Sequence, residues 1–172
     1  MAILYKNFKL KLFSIGPILI LYFLSISELD AQFSDYFEIL SFNLQLIIIY
    51  YWVMKDPSIL GNGHIFFAGI INDVIMGLPM GLSALGYLVT AFVAMYIRSV
   101  TVKMTFFTDW FTFIIAIFFS NLVHIILILN FSDFTITYTT IFYNSLFTFI
   151  FYPIFWVLFN PYQMILRRII ND

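Results

Sequence analysis

The sequence predicts an all-α membrane protein, a compact bundle of six transmembrane helices with both termini cytoplasmic. Three observations carry this. Of the 172 residues, 63% are hydrophobic and only 10% are charged, whereas soluble domains have about 45–50% apolar and about 25% charged residues. The 8 basic and 9 acidic side chains cannot cover the surface that a soluble domain of this length leaves in water. At about 20 residues per span, the chain holds six helices with short connections, so residues 1–172 read as a single polytopic membrane domain. A β-barrel is excluded by stretches such as Ile47-Ile48-Ile49-Tyr50-Tyr51-Trp52-Val53, which lack the alternation of barrel strands.

The spans follow from the apolar runs taken in order. The first covers residues 12–26 and the second 39–54. The third, 64–75, turns at Gly77-Leu78-Pro79-Met80-Gly81 into the fourth, 82–97. Gly61-Asn62-Gly63 reads as a turn ahead of the third span. The fifth covers 107–129 and the sixth 136–159, where Asn160-Pro161 is expected to end the helix, because proline disfavours helical geometry in the residue before it. The lysine-flanked first run also has the form of a signal peptide, with Ser25-Ile26-Ser27 as a small-x-small site. The later spans favour an uncleaved anchor.

Charge sets the orientation. Lys6, Lys9 and Lys11, then Lys55, then Arg98 and Lys103, then Arg167 and Arg168 all fall on one side of a six-span chain, together with both termini. The opposite connections carry Glu28, Asp30, Asp35, Glu38 and Asp133 without a basic residue. By the positive-inside rule the basic side is cytoplasmic. A net charge of −1 offers no basic surface to nucleic acid. With no cysteine and two separated histidines, His64 and His124, thiol chemistry and a metal cage are not expected.

The polar residues inside the spans are the informative ones. Asp73 lies in the third span beside Asn72, and a carboxylate at the bilayer centre costs about 2.5–3.5 kcal/mol on insertion scales. Gly69, Asp73 and Gly77 recur at spacing four and share one helix face. Ser83, Gly86, Thr90 and Ala94 form a second stripe of small residues on the fourth span. Such stripes let helix backbones approach closely, so the two spans should pack as an antiparallel hairpin. Asp73 reads either as an ion, proton or partner-helix site, or as a hydrogen-bonded acid that locks the hairpin. Asp109 opens the fifth span, where the helix dipole favours an acid. Ser120, Asn121 and His124 share a face of that span, and Thr140, Asn144, Thr148 and Tyr152 share one on the sixth. They read as interhelical hydrogen bonds or as the walls of a ligand pocket between these spans. No zinc-protease motif, nucleophile elbow or phosphate loop is present in the sequence. No enzyme, cofactor or metal site is expected.

Three segments carry a resemblance: Tyr51-Trp52 through Lys55-Asp56-Pro57, then Gly69-Ile70-Ile71-Asn72-Asp73, then Gly77-Leu78-Pro79-Met80-Gly81. They lie within residues 51–81 and make up about a tenth of the chain. They resemble the rod shape-determining MreD family, in which a basic, proline-bearing connection precedes a glycine- and aspartate-bearing helix and a Gly-x-Pro-x-Gly-type turn. The resemblance implies a non-enzymatic, multi-pass protein of the bacterial inner membrane that serves lateral cell-wall elongation. It implies the bitopic protein MreC, the actin-like MreB and the peptidoglycan synthases as partners, within membrane lipid. Pro57, Gly69, Asp73, Gly77, Pro79, Gly81 and Gly86 are then the structural or partner-contact candidates. A second reading is the substrate-capturing subunit of an energy-coupling-factor vitamin transporter. Those subunits show an Ala-x-x-x-Ala-like surface on the first helix, which the stretch Leu12 to Ile20 lacks. A proton-coupled transporter would need paired ionisable groups within the spans.

Overall fold

The computed structural model describes residues 15–27, 43–103, 105–131 and 138–171, and all the regular structure among them is helical. Helix α1 covers Ile15–Ile26. The others are α2 Leu44–Lys55, α3 Pro57–Ile75, α4 Leu82–Val100, α5 Phe106–Phe131 and α6 Tyr138–Asn171. Of these, α3, α4, α5 and α6 are long and apolar enough to cross a membrane, whereas α1 and α2 are shorter. Lys6, Lys9, Lys11, Glu28, Asp30, Asp35, Glu38 and Asp133 lie outside the described residues, as do the expected starts of the first, second and sixth spans.

Helix α2 is the centre of the bundle. Its sequence is apolar on every side, which is the pattern of an enclosed helix rather than an amphipathic one. Every residue from Gln45 to Met54 is buried. Helices α3, α4, α5 and α6 all pack against it, and the Gln45 side-chain amide donates to the Leu24 carbonyl of α1 at 3.2 Å. Aromatic rings fill the contacts: Tyr50 lies 4.8 Å from Phe113, and Trp52 lies edge-on to Tyr162 at 5.7 Å. With 12 residues and a rise of 1.5 Å per residue, α2 is about 18 Å long. That is well short of a hydrocarbon core of about 30 Å.

Two expectations about connections are corrected. The stretch 55–63 is not an open loop, since Asp56 alone separates α2 from α3. Its carboxylate accepts from the Ser58 N–H at 3.1 Å, and Pro57 occupies the first turn. This is a capped helix start with proline where its missing N–H does no harm. Gly61 breaks the helix at φ 60°, a conformation glycine adopts without strain, so the turn expected at Gly61-Asn62-Gly63 is a kink within α3. The sixth helix does not stop at Asn160-Pro161 but continues to Asn171 with Pro153 and Pro161 inside it. Packing outweighs the lost hydrogen bond: Gln163 accepts from the Tyr51 hydroxyl at 3.3 Å, and Leu166 is buried in the core.

The end of the bundle near the α2–α3 junction holds a buried ion pair. Asp109 stands in the first turn of α5, as expected for a dipole-favoured acid, but it is fully buried and bonded to Lys55 of α2. The Lys55 ammonium also lies 5.9 Å from the centre of the Trp156 ring. Removing one partner of a buried pair leaves an uncompensated charge. Lys55→Met is therefore expected to destabilise the fold by about 3–5 kcal/mol, and adding Asp109→Leu should restore most of that loss. Unfolding in mixed micelles, followed by tryptophan fluorescence, measures both. Equal losses in the single and double variants would show that the pair contributes nothing.

Candidate functional site

The polar centre of the molecule is the turn between α3 and α4, at the opposite end of α3 from the ion pair. Helix α3 ends in a Schellman arrangement: the Leu78 N–H donates to the Asp73 carbonyl at 2.9 Å and the Gly77 N–H to the Val74 carbonyl at 3.4 Å. This motif needs a left-handed residue just past the helix, and Gly77 supplies it at φ 63°. Pro79 then bars helix continuation, and its carbonyl accepts from the Leu82 N–H at 3.1 Å.

Helix α4 starts without a capping side chain of its own, since Gly81 stands at the N-cap with φ 99°. The cap comes from the other helix. One carboxylate oxygen of Asp73 accepts from the Gly81 N–H at 2.8 Å, and the second accepts from the Ser83 N–H at 2.7 Å. The carboxylate is fully buried, and the positive end of the α4 dipole favours its charge there. Beside it the Asn72 amide donates to the Ser83 hydroxyl at 3.0 Å. One turn earlier, α3 touches the α4 backbone directly: a Cβ on Gly69 would lie 2.3 Å from Ala84 Cα and 2.6 Å from its nitrogen.

The structure thus gathers Gly69, Asp73, Gly77, Pro79 and Gly81 into one hairpin. Pro57 lies at the other end of α3. Gly86 does not face α3. It faces α5, where the Ser120 hydroxyl donates to the Gly86 carbonyl at 3.2 Å. The small stripe of α4 is therefore divided between two neighbours, with Ser83 on α3 and Gly86 on α5. Gly69 and Asp73 are filled by contacts with α4, as is the α4 stripe by its neighbours, whereas Gly77 is exposed at the turn. Surface is offered instead by long apolar rows on α5, such as Phe107, Phe111, Ile114 and Phe118, and on α6, such as Phe142, Leu146, Ile150 and Ile154.

The polar faces of the last two helices also meet. The Asn121 amide donates to the Ser145 hydroxyl at 2.6 Å, and Thr148 accepts from the Asn43 N–H at 2.8 Å. Between α2, α4, α5 and α6 they border a cavity of about 220 Å³. His124 lines it. No group of three or more metal-ligating side chains occurs among the described residues. The Lys55–Asp109 pair escaped sequence reasoning, because 54 residues separate the partners. The only signal was a charge at the end of each of two apolar runs.

Four long apolar helices around a buried core helix, with a hairpin locked by one carboxylate, are the architecture of a small polytopic membrane protein. Residues 7–162 match the family of the rod shape-determining protein MreD. The chain belongs to that family, and its class is that of membrane proteins of rod shape determination. No curated protein and no solved structure matches it.

Asp73→Ala removes the acceptor for two backbone donors, of which the Ser83 N–H is buried, and a buried donor left unpaired costs about 1–3 kcal/mol. Asp73→Asn retains one acceptor oxygen and is expected to lose about half as much. Gly69→Val forces α3 from the Ala84 backbone and is expected to cost at least about 1–3 kcal/mol through overpacking. Unfolding midpoints in mixed micelles rank the three. An unchanged midpoint for Asp73→Ala would remove the carboxylate from its capping role.

Proposed function

We propose that the chain is a non-enzymatic scaffold of the lateral cell-wall elongation machinery in the bacterial inner membrane. In this reading both termini are cytoplasmic, all six helices count as spans, and the membrane partner is the bitopic protein MreC. MreB and the peptidoglycan synthases join through the same assembly. The observation that carries it is the family match over residues 7–162. The geometry supports it in a specific way. A scaffold needs a rigid body and open faces. Asp73, Gly69 and Gly77 make the α3–α4 hairpin rigid, while the apolar rows of α5 and α6 stay exposed. A partner's transmembrane helix would then meet Phe and Ile side chains by close packing. Gly69 and Gly86 already face neighbours within the chain.

Complementation tests this reading. A rod-shaped bacterium depleted of its own family member is expected to regain rod shape with this chain, and MreC is expected to co-purify. Asp73→Ala should lose both, and Asp73→Asn should retain most of both, in step with the stability ranking. Restored shape without bound MreC, or bound MreC in round cells, would overturn the scaffold reading. Orientation is tested separately, because the chain has no cysteine. A single cysteine at Asn62 is expected to resist impermeant labelling from outside the cell, and one at Met80 to react. The reverse pattern would invert the topology.

A further inference from the structure

The ion pair near the α2–α3 junction leaves part of its polar surface unanswered. Lys55 engages one oxygen of the Asp109 carboxylate, Oδ2. The other, Oδ1, is buried without a hydrogen-bond partner among the described residues. Two donors on α6 share that condition, the Tyr152 hydroxyl and the Trp156 indole N–H. Both Asp109 and Tyr152 are fully buried. In folded proteins the great majority of buried polar atoms are paired, and a charged group is the costliest to leave unpaired.

The three groups belong to one place, where α5 and α6 run side by side in opposite directions. Phe113, one turn beyond Asp109, lies 4.7 Å from the Tyr152 ring. Trp156, one turn beyond Tyr152, has the Lys55 ammonium 5.9 Å from the centre of its ring. Tyr50 packs edge-on to Tyr152 at 5.9 Å, but its own hydroxyl is bonded to Thr112 at 2.7 Å. The chemistry of the unpaired atoms selects what can join them. The occupant must donate to a carboxylate oxygen and accept from a phenol and an indole N–H. A metal cation accepts no hydrogen bond and would face the Lys55 ammonium, while an anion would face Asp109. Water both donates and accepts, and a buried water makes about three such bonds.

We propose that an enclosed water bridges Asp109 Oδ1 to the Tyr152 hydroxyl and the Trp156 indole. The Lys55–Asp109 pair is then a hydrated joint between α2, α5 and α6. The sign of one substitution tests this. A buried hydroxyl without a partner costs stability, so its removal raises the unfolding midpoint, whereas removing one that holds a trapped water lowers it. In mixed micelles Tyr152→Phe is expected to lower the midpoint of the full chain. In the Lys55→Met/Asp109→Leu background, which has no carboxylate to hold the water, the same change is expected to leave it unchanged or raise it. Solid-state NMR with magnetisation transfer from water detects the bridge directly, on the full chain labelled with ¹⁵N-tryptophan in phosphatidylcholine bilayers. Trp110 is the internal control, because its indole donates to the Phe149 carbonyl at 3.0 Å. Transfer is expected to the Trp156 indole and not to that of Trp110, and it should vanish in the double variant. Three results would overturn the proposal: a midpoint raised or unmoved by Tyr152→Phe in the otherwise native chain, as for a dry hydroxyl; an equal loss in both backgrounds; or Trp156 receiving no more from water than Trp110.

Discussion

A helix start leaves its first N–H groups without partners in the helix, and at the start of α4 a single side chain from α3 supplies what is missing. The Asp73 carboxylate takes both the Gly81 and the Ser83 N–H, while its own carbonyl closes the end of α3 through Leu78. One residue therefore terminates one helix and initiates the next. The charge that would be costly in lipid is held at a helix N-terminus, where donors and dipole favour it. Gly69 against Ala84 fixes how closely the two axes approach. From α4 the constraint passes to α5 through Gly86 and Ser120, and so reaches the outer helices.

The opposite end of the bundle uses a different solution. There Lys55 and Asp109 tie the last residue of α2 to the first turn of α5, and Arg98 of α4 reaches the Val53 carbonyl at 3.4 Å. A carboxylate that caps backbone groups and a carboxylate that faces an ammonium are both fully buried. The first is tied to local turn geometry, the second to tertiary packing. Between the two ends lies an aromatic interior around Tyr50, Trp52 and Tyr152. Its interlocking rings favour one arrangement over sliding alternatives.

How much of this the sequence discloses depends on the range of each interaction. The hairpin was legible because its determinants are local: glycines at the positions that require positive φ, a proline that ends the helix, and one acid out of place in an apolar run. The polar faces of α5 and α6 were legible from their spacing. What Gly86 faces was not, because a stripe of small residues says that a neighbour comes close but not which one. The continuation of α6 past Pro161 was hidden for a related reason. Local propensity argues for a stop, and only contacts of Tyr162, Gln163 and Leu166 with distant helices reverse it. The brevity of α2 is likewise a property of the assembled bundle.

The separation between bonded residues also implies an order of assembly. All the hydrogen bonds that lock the α3–α4 hairpin span eleven residues or fewer, so this pair closes as soon as it is synthesised. Contacts of such short range form early, since little chain entropy is lost in making them. The central helix is the opposite case, for Tyr51 meets Gln163 across 112 residues. Although α2 precedes the hairpin in the chain, its surroundings are complete only when α6 arrives. The second helix to leave the ribosome is the last to be enclosed.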